Sequence, residues 1–266
     1  MTDAQITPIS IPFPDAAGHH LILNTNGVQI LLTPGEADLW ASGSSTYKRP
    51  PAPSIERAGG QVTILQEYHR SELTNMFRTA GDSPILDLKL GSQQPYALEF
   101  YLLGDPFKAD LGGLPITNLT IGSGLGSGLL TFSRPHPSSM ALLKVESQGS
   151  QLELTQLGQA HAEQILIKGN GTTLKLDWGD QLVHHCLLDL SVTGSPTTLK
   201  VGRQVAFKLE GQAGPLDAEG AGKQFQLDPS LTLREGCYWS AAALDGASPL
   251  LTIKVPSACP LGLHLT

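Results

Sequence analysis

The feature that most constrains this chain is an internal period of about 22 residues, because a repeated unit that small cannot bury its own apolar face and must stack on its neighbours. From residue 84 onward an apolar-x-apolar pair recurs at Leu98/Phe100, Leu119/Ile121, Leu143/Val145, Ile165/Ile167 and Leu188/Leu190, in steps of 21, 24, 22 and 23 residues. A second series follows at Leu130/Phe132, Leu152/Leu154, Leu174/Leu176 and Leu199/Val201, in steps of 22, 22 and 25. Within these segments, as in Leu174-Lys175-Leu176-Asp177-Trp178, every second side chain is apolar, the alternation of a strand with one buried face.

Between the paired strands lie small-residue turns: Gly122 to Gly128, Ser147 to Ser150, Gly169-Asn170-Gly171 and Thr193-Gly194-Ser195. Looser corners follow at Pro135-His136-Pro137, Leu157-Gly158-Gln159 and Trp178-Gly179-Asp180. Each unit therefore reads strand, tight turn, strand, loose corner. The expectation is an all-β, solenoid-like stack of strand-turn-strand units, resembling a parallel β-helix. Charged residues are 15% of the chain, too few for long amphipathic helices with solvated faces.

The whole of 1–266 is expected to form a single elongated β domain, with its clearest repeats at 84–220. In 1–83, strands are expected at His20–Leu23, Val28–Leu32 and Gln61–Ile64, with Asn26-Gly27 at a corner or hairpin. An exposed loop is expected near 41–60, which carries Lys48 and Arg49, and a short helix over Ser71–Thr79. Within 221–266, Leu251–Val255 and Leu261–Leu265 are expected as the terminal rungs.

The segment Pro84 to Gly91, followed by Pro95-Tyr96-Ala97-Leu98-Glu99-Phe100 and Asp110 to Leu119, resembles the bacterial toast-rack proteins. Those are grouped with the DUF4097-type β-strand-repeat proteins classed as adhesins and with the cell-wall-active-antibiotic-response proteins. The matching phrases are Gly113-Leu114-Pro115, the Gly122 to Gly128 turn and the Pro135-His136-Pro137 corner. Leu157-Gly158-Gln159-Ala160 with Glu163 to Ile167 is similar to a later unit of that family. The resemblance covers about residues 84–210 and implies a β-stack with an adhesive or envelope-stress role. The transmembrane helices that some of those proteins carry have no counterpart here.

Chemistry-bearing motifs are sparse. Gly122, Gly124, Gly126 and Gly128 alternate and lead into a strand, which fits neither the dinucleotide fingerprint nor a Walker loop. His184-His185-Cys186 is the densest cluster of candidate metal ligands, yet only His184 and Cys186 share a side on an extended strand, and zinc takes four ligands. As a thiol–imidazole nucleophile pair the cluster lacks a visible oxyanion donor. Glu210, Asp217 and Glu219 read as a solvated acidic loop. Cys237 and Cys259 stand one repeat apart, which leaves open whether they pair. Asn118 and Asn170 begin glycosylation sequons by pattern but, with no secretory route visible, are expected as turn residues, and Tyr238-Trp239 reads as a cap on the open end of the core or part of a ligand patch.

No metal, cofactor or catalytic residue is therefore expected. The functional expectation is a non-catalytic structural or interaction module, its partner a protein, an envelope polymer or a second copy of the chain. The alternatives are a polysaccharide-acting enzyme of parallel β-helix type and a regulator of a membrane sensor system. The enzyme would need carboxylates such as Glu146, Glu153, Asp177 and Asp189 to converge, although they occupy different registers. With 17 basic residues scattered against 24 acidic, a nucleic-acid partner is not expected. No apolar run is long enough to insert directly into a membrane as a helix, and Met1 to Gly18 shows no secretory pattern, so the expected compartment is the cytoplasm.

Overall fold

The computed structural model describes residues 4–16, 18–36, 38–48, 52–67, 83–104, 106–211, 226–256 and 259–266. Strands β1 (Gln5–Pro12), β2 (His19–Asn26), β3 (Gln29–Pro34), β4 (Leu39–Tyr47), β5 (Ser54–Ala58), β6 (Gln61–Glu67) and β7 (Ile85–Leu90) come first. The central part contributes β8 (Tyr96–Leu103), β9 (Phe107–Asp110), β10 (Ile116–Gly124), β11 (Ser127–Thr131), β12 (Met140–Gln148), β13 (Gln151–Thr155), β14 (Ala162–Asn170), β15 (Thr173–Asp177), β16 (Cys186–Thr193) and β17 (Thr197–Val201). After them come β18 (Phe207–Gly211), β19 (Gln226–Leu227), β20 (Thr232–Arg234), β21 (Cys237–Trp239), the one-turn helix α1 (Ala241–Leu244), β22 (Leu251–Val255) and β23 (Leu261–Leu265). The strands form two large sheets, of 11 and 12 strands, each mixing parallel and antiparallel pairs.

In the 12-stranded sheet β8, β10, β12, β14 and β16 lie side by side and parallel, and in the other sheet β9, β11, β13, β15 and β17 do the same. Leu98, Leu119, Leu143, Ile165 and Leu188 are direct neighbours across the first set, all buried. Across the second set the row is Ala109, Leu130, Leu154, Leu176 and Leu199. This corrects the alignment expected for the second series: Leu130 sits beside Leu154 rather than Leu152, and Leu199 beside Leu176 rather than Leu174.

At Leu130 the cause is Gly128, which takes an interior position between Phe107 and Leu152 while Phe132 lies beyond the strand end, and at Leu199 it is Thr197, buried beside Leu174 where an apolar residue is expected. In the observed register both sheets advance by 21, 24, 22 and 23 residues. The step from the first row to the second is 11 residues in each of these units, as from Leu119 to Leu130 or Leu143 to Leu154, so all variation in unit length falls in the loose corners.

The tight corners stack as closely as the strands. The N–H groups of Gly27, Gly104, Leu125, Gly149 and Gly171 donate to the carbonyls of Leu103, Gly124, Gln148, Asn170 and Thr193 in the adjoining unit, at 2.8–3.0 Å. All five donors have φ between 56° and 88°, the left-handed region in which a side chain is strained. Leu125 alone among them carries one.

The ends depart from simple succession. β2 lies between β6 and β8, and β3 between β7 and β9. At the other end β22 lies between β16 and β18, and β23 between β17 and β19. The Leu251–Val255 and Leu261–Leu265 strands are thus interior strands, fourth and second from the edges of their sheets, rather than terminal rungs. Antiparallel strands close three of the four outer edges, β4 and then β1 on β7, β5 on β6, and β21 and then β20 on β18, while the fourth is the short parallel strand β19 on β23. Edge strand β1 carries Pro8 and Pro12, which remove two donors from the edge and oppose strand addition.

The stretch 41–60, expected as a loop, holds most of β4 and all of β5. Its small residues serve packing: β4 runs between β1 and β7, and a β-carbon at Gly43 would strike the Asp87 carbonyl. The helix expected over 71–79 lies outside the described residues. The buried apolar side chains form one connected cluster that runs from Ile9 to Leu263. Among the described residues no helix is long and apolar enough to cross a membrane.

Candidate functional site

The three candidate ligands do not converge. Cys186 opens β16 and points into the core, where burial pushes its thiol up to about 12, far from the thiolate that metal binding or nucleophilic attack requires. His185 accepts the Leu250 N–H at Nδ1, at 3.1 Å. His184 meets the ring of His161 edge-on, with centroids 6.1 Å apart. Among the described residues no group of three or more His, Cys, Asp or Glu side chains could hold a metal ion.

The carboxylates are divided between the two sheets. Glu146 and Asp189 lie in the 12-stranded sheet, and Glu153 and Asp177 in the 11-stranded one. Glu210 is held between Lys208 at 2.9 Å and Lys254 at 3.6 Å, while Asp217 and Glu219 lie outside the described residues. Cys237 and Cys259 are both free thiols, the first in β21 and the second buried just ahead of β23. Asn118 and Asn170, expected in turns, are instead exposed strand residues, the first inside β10 and the second at the end of β14. Tyr238 packs against the core beside β18, while the Trp239 indole donates to the Arg234 carbonyl at 3.3 Å.

What the glycine run does accomplish is steric. Gly122 and Gly124 belong to β10 and Gly128 to β11, so only Leu125 and Gly126 make the corner. In register, Gly122 faces Tyr101 and Gly124 faces Leu103, the corresponding residues of β8. A β-carbon at Gly122 would fall 2.6 Å from Tyr101 Cδ1, and one at Gly124 would fall 2.8 Å from Leu103 Cδ1. Each glycine leaves a gap into which a large side chain of the preceding unit lies down. Leu125 repeats the arrangement one unit on, its Cδ2 resting 3.0 Å from the β-carbon position of Gly149.

The result is an apolar surface on the tight-corner side of the 12-stranded sheet. Tyr101 is 39% exposed, Leu103 48% and Leu125 72%, and all three occupy positions where strand alternation calls for polar side chains or a corner for glycine. A shallow groove of about 290 Å³ runs along it, walled by Asn24 and Asn26 of β2, by Glu67 of β6 and by Tyr101 and Leu103, and floored by Gly122 and Gly124.

The tyrosine is tethered. Its hydroxyl donates to Glu99 Oε2 at 2.9 Å, and His20 Nε2 lies 3.1 Å from Glu99 Oε1. Partial burial, then the hydrogen bond to Glu99 and the charges of Glu99 and Glu146, raise the phenol above its ordinary value. Glu146 is itself paired with Lys144 at 3.0 Å. This surface went unrecognised in the sequence, although a signal was present: Glu99, Tyr101 and Leu103 alternate on the outward face, and two of the three are apolar.

No family model and no curated protein matches this chain. Among solved structures, a crystal structure of a "putative cell adhesion protein" from Clostridium sporogenes is similar over 99% of both chains, with a TM-score of 0.51 and 12% sequence identity. At that identity the likeness extends to the fold, an all-β arrangement of two large sheets.

Proposed function

We propose that this chain is a non-catalytic, adhesin-like interaction module: a single elongated, solenoid-like stack of toast-rack type that presents the Tyr101–Leu103–Leu125 surface to a partner. The observation that carries the reading is the grouping of three exposed apolar side chains on one corner, one of them held in a strained left-handed conformation where the other corners have glycine. The full-length likeness to a protein described as adhesive supports it. So does the division of the carboxylates, with Glu146 and Asp189 in one sheet and Glu153 and Asp177 in the other, which keeps the four from converging on a single groove as the polysaccharide-acting alternative requires.

The test is retention of protein-coated beads on intact bacterial cells and on extracted envelope polymers. The variant Tyr101→Ser with Leu103→Ser and Leu125→Gly should lose retention, whereas Val183→Ser, which alters an exposed apolar residue of a loose corner, should retain it. Equal retention by both variants would overturn the proposal.

A further inference from the structure

We propose that the Tyr101 surface is a binding site for a neutral hexopyranose unit of a glycan, with the tyrosine ring as the stacking platform. The inference rests on the interaction-module reading above and names the class of ligand that this surface takes.

Three observations support it. First, the ring is laid down and fixed before any ligand arrives. Gly122 provides the gap beneath its Cδ1–Cε1 edge, and the hydrogen bond from its hydroxyl to Glu99 holds the far end. A ring held in this way presents a π surface at little further entropic cost. The C–H face of a pyranose, which carries slight positive charge, packs on the electron-rich face of an aromatic ring.

Second, the surroundings supply the hydrogen-bonding groups that sugar hydroxyls match. Asn24, exposed and opposite Tyr101 on β2, offers both an amide donor and an acceptor, and Asn26 stands two residues further along the same groove. Ligand sites of this kind combine an apolar contact with a few convergent polar groups.

Third, the charge balance selects a neutral ligand. Three carboxylates lie near the ring or line the groove: Glu99, which already receives the Tyr101 hydroxyl and lies against His20, Glu146, which is paired with Lys144, and Glu67 of β6, which stands beside Asn26. A bound cation would have to compete with the partners of Glu99 and Glu146, and an anionic sugar would meet Glu67, Glu99 and Glu146. A neutral polyol needs neither exchange.

The site is open and has one platform, so binding should be weak, in the millimolar range. The experiment is ligand-observed saturation-transfer NMR on the full chain with methyl glucoside, methyl galactoside, methyl mannoside and N-acetylglucosamine, with tetramethylammonium and glucuronate as charged comparators. At least one neutral hexoside should give transfer that falls at least tenfold in Tyr101→Ala and that charged comparators do not match. Gly122→Val, whose branched side chain would lift the ring off the sheet, should weaken the same signal while the thermal melt shows a folded protein.

Absence of transfer from every neutral hexoside would overturn the proposal, as would transfer that Tyr101→Ala leaves intact or a clear preference for the cation. If hexosides fail while bead retention still depends on Tyr101 and Leu103, the ligand class is wrong and the interaction-module reading stands. If bead retention is independent of the surface but hexosides bind through Tyr101, the opposite holds.

Discussion

The ring of Phe107 occupies the space that a side chain at Gly128 would need, although the two residues belong to successive units and face each other directly across the parallel ladder. Phe107 also meets Phe100 of the opposite sheet edge-on, at a centroid distance of 5.5 Å, so the aromatic pair bridges the two sheets at the point where the leucine row is interrupted. Gly128→Ala should therefore destabilise the fold by about 1–3 kcal/mol through overpacking. Combining it with Phe107→Leu should restore much of that loss in urea unfolding. Strict additivity of the two changes would refute the coupling.

Tyr96 is buried, with no hydrogen-bond partner for its hydroxyl among the described residues, in a cluster with Phe13 and Trp40, and burial pushes its phenol far above the ordinary value. A buried hydroxyl without a partner costs about 1–3 kcal/mol of desolvation. Tyr96→Phe should leave stability unchanged or raise it by about 1 kcal/mol, as measured by thermal melting. A drop of similar size would reveal a hydrogen bond that the geometry does not contain.

Leu125 is the one member of the stacked corner column with a side chain in the left-handed region, at φ 56°. Relief of that strain outweighs the chain entropy that glycine adds to the unfolded state, so Leu125→Gly should stabilise by about 0.5–1 kcal/mol. Bead retention should fall in the same variant. A protein that gained stability at no loss of retention would show that the leucine has no binding role.

Acid should weaken the fold in two steps. Burial holds His136 below its ordinary 6.5, with the charge of His161 adding to the effect, and burial together with His184 does the same for His161. Both groups take up protons more readily in the unfolded chain. Stability should be flat above about pH 7, then decline as pH falls through 6.5 toward their lowered folded values. Burial pushes the Asp110 carboxyl up, but hydrogen bonds from the Ser133 hydroxyl and from the Gly112 and Ser133 N–H groups outweigh it and hold it below 3.8. Its contribution is present above that value and disappears as pH falls further. Urea midpoints that rise between pH 7 and pH 5 would contradict the histidine step.

Burial raises the Cys186 thiol to about 12 and also raises Cys259, whereas Cys237 is half-buried. Iodoacetamide at neutral pH should therefore modify Cys237 first in the folded protein, and label the other two only as fast as the chain opens. Mass spectrometry of timed samples reads the order. Early modification of Cys186 would place it outside the core.

The ladder rows from Leu98 to Leu190 were legible because strand alternation and a near-constant period leave little choice of register. The second series was misaligned at Leu130 and Leu199, since a pattern of apolar residues cannot reveal that Gly128 fills an interior position whose volume Phe107 supplies from the preceding unit, or that polar Thr197 is buried in the row beside Leu174. The strand Leu39–Tyr47 was missed for a related reason: its serines and glycine look like a loop until two antiparallel partners close in on both sides. The intercalated placement of β2–β3 and β22–β23 depends on which edge each chain segment meets, information that spacing does not carry. Tyr101 and Leu103 were visible as breaks in the polar face, but their grouping with Asn24 depends on the non-successive pairing of β2 with β8.

In arrays where each neighbour in space is the neighbour in sequence, an outer repeat is held on one flank and can fray by itself. Here the strands at 19–34 and at 251–265 are clasped on both flanks, and in each case one flank comes from a remote stretch of chain. Peeling away an outermost layer strips one side of a clasped pair, and freeing that pair breaks two ladders at once. Shortening from either tip is thereby penalised, and the molecule should melt as one cooperative body instead of losing its repeats in turn.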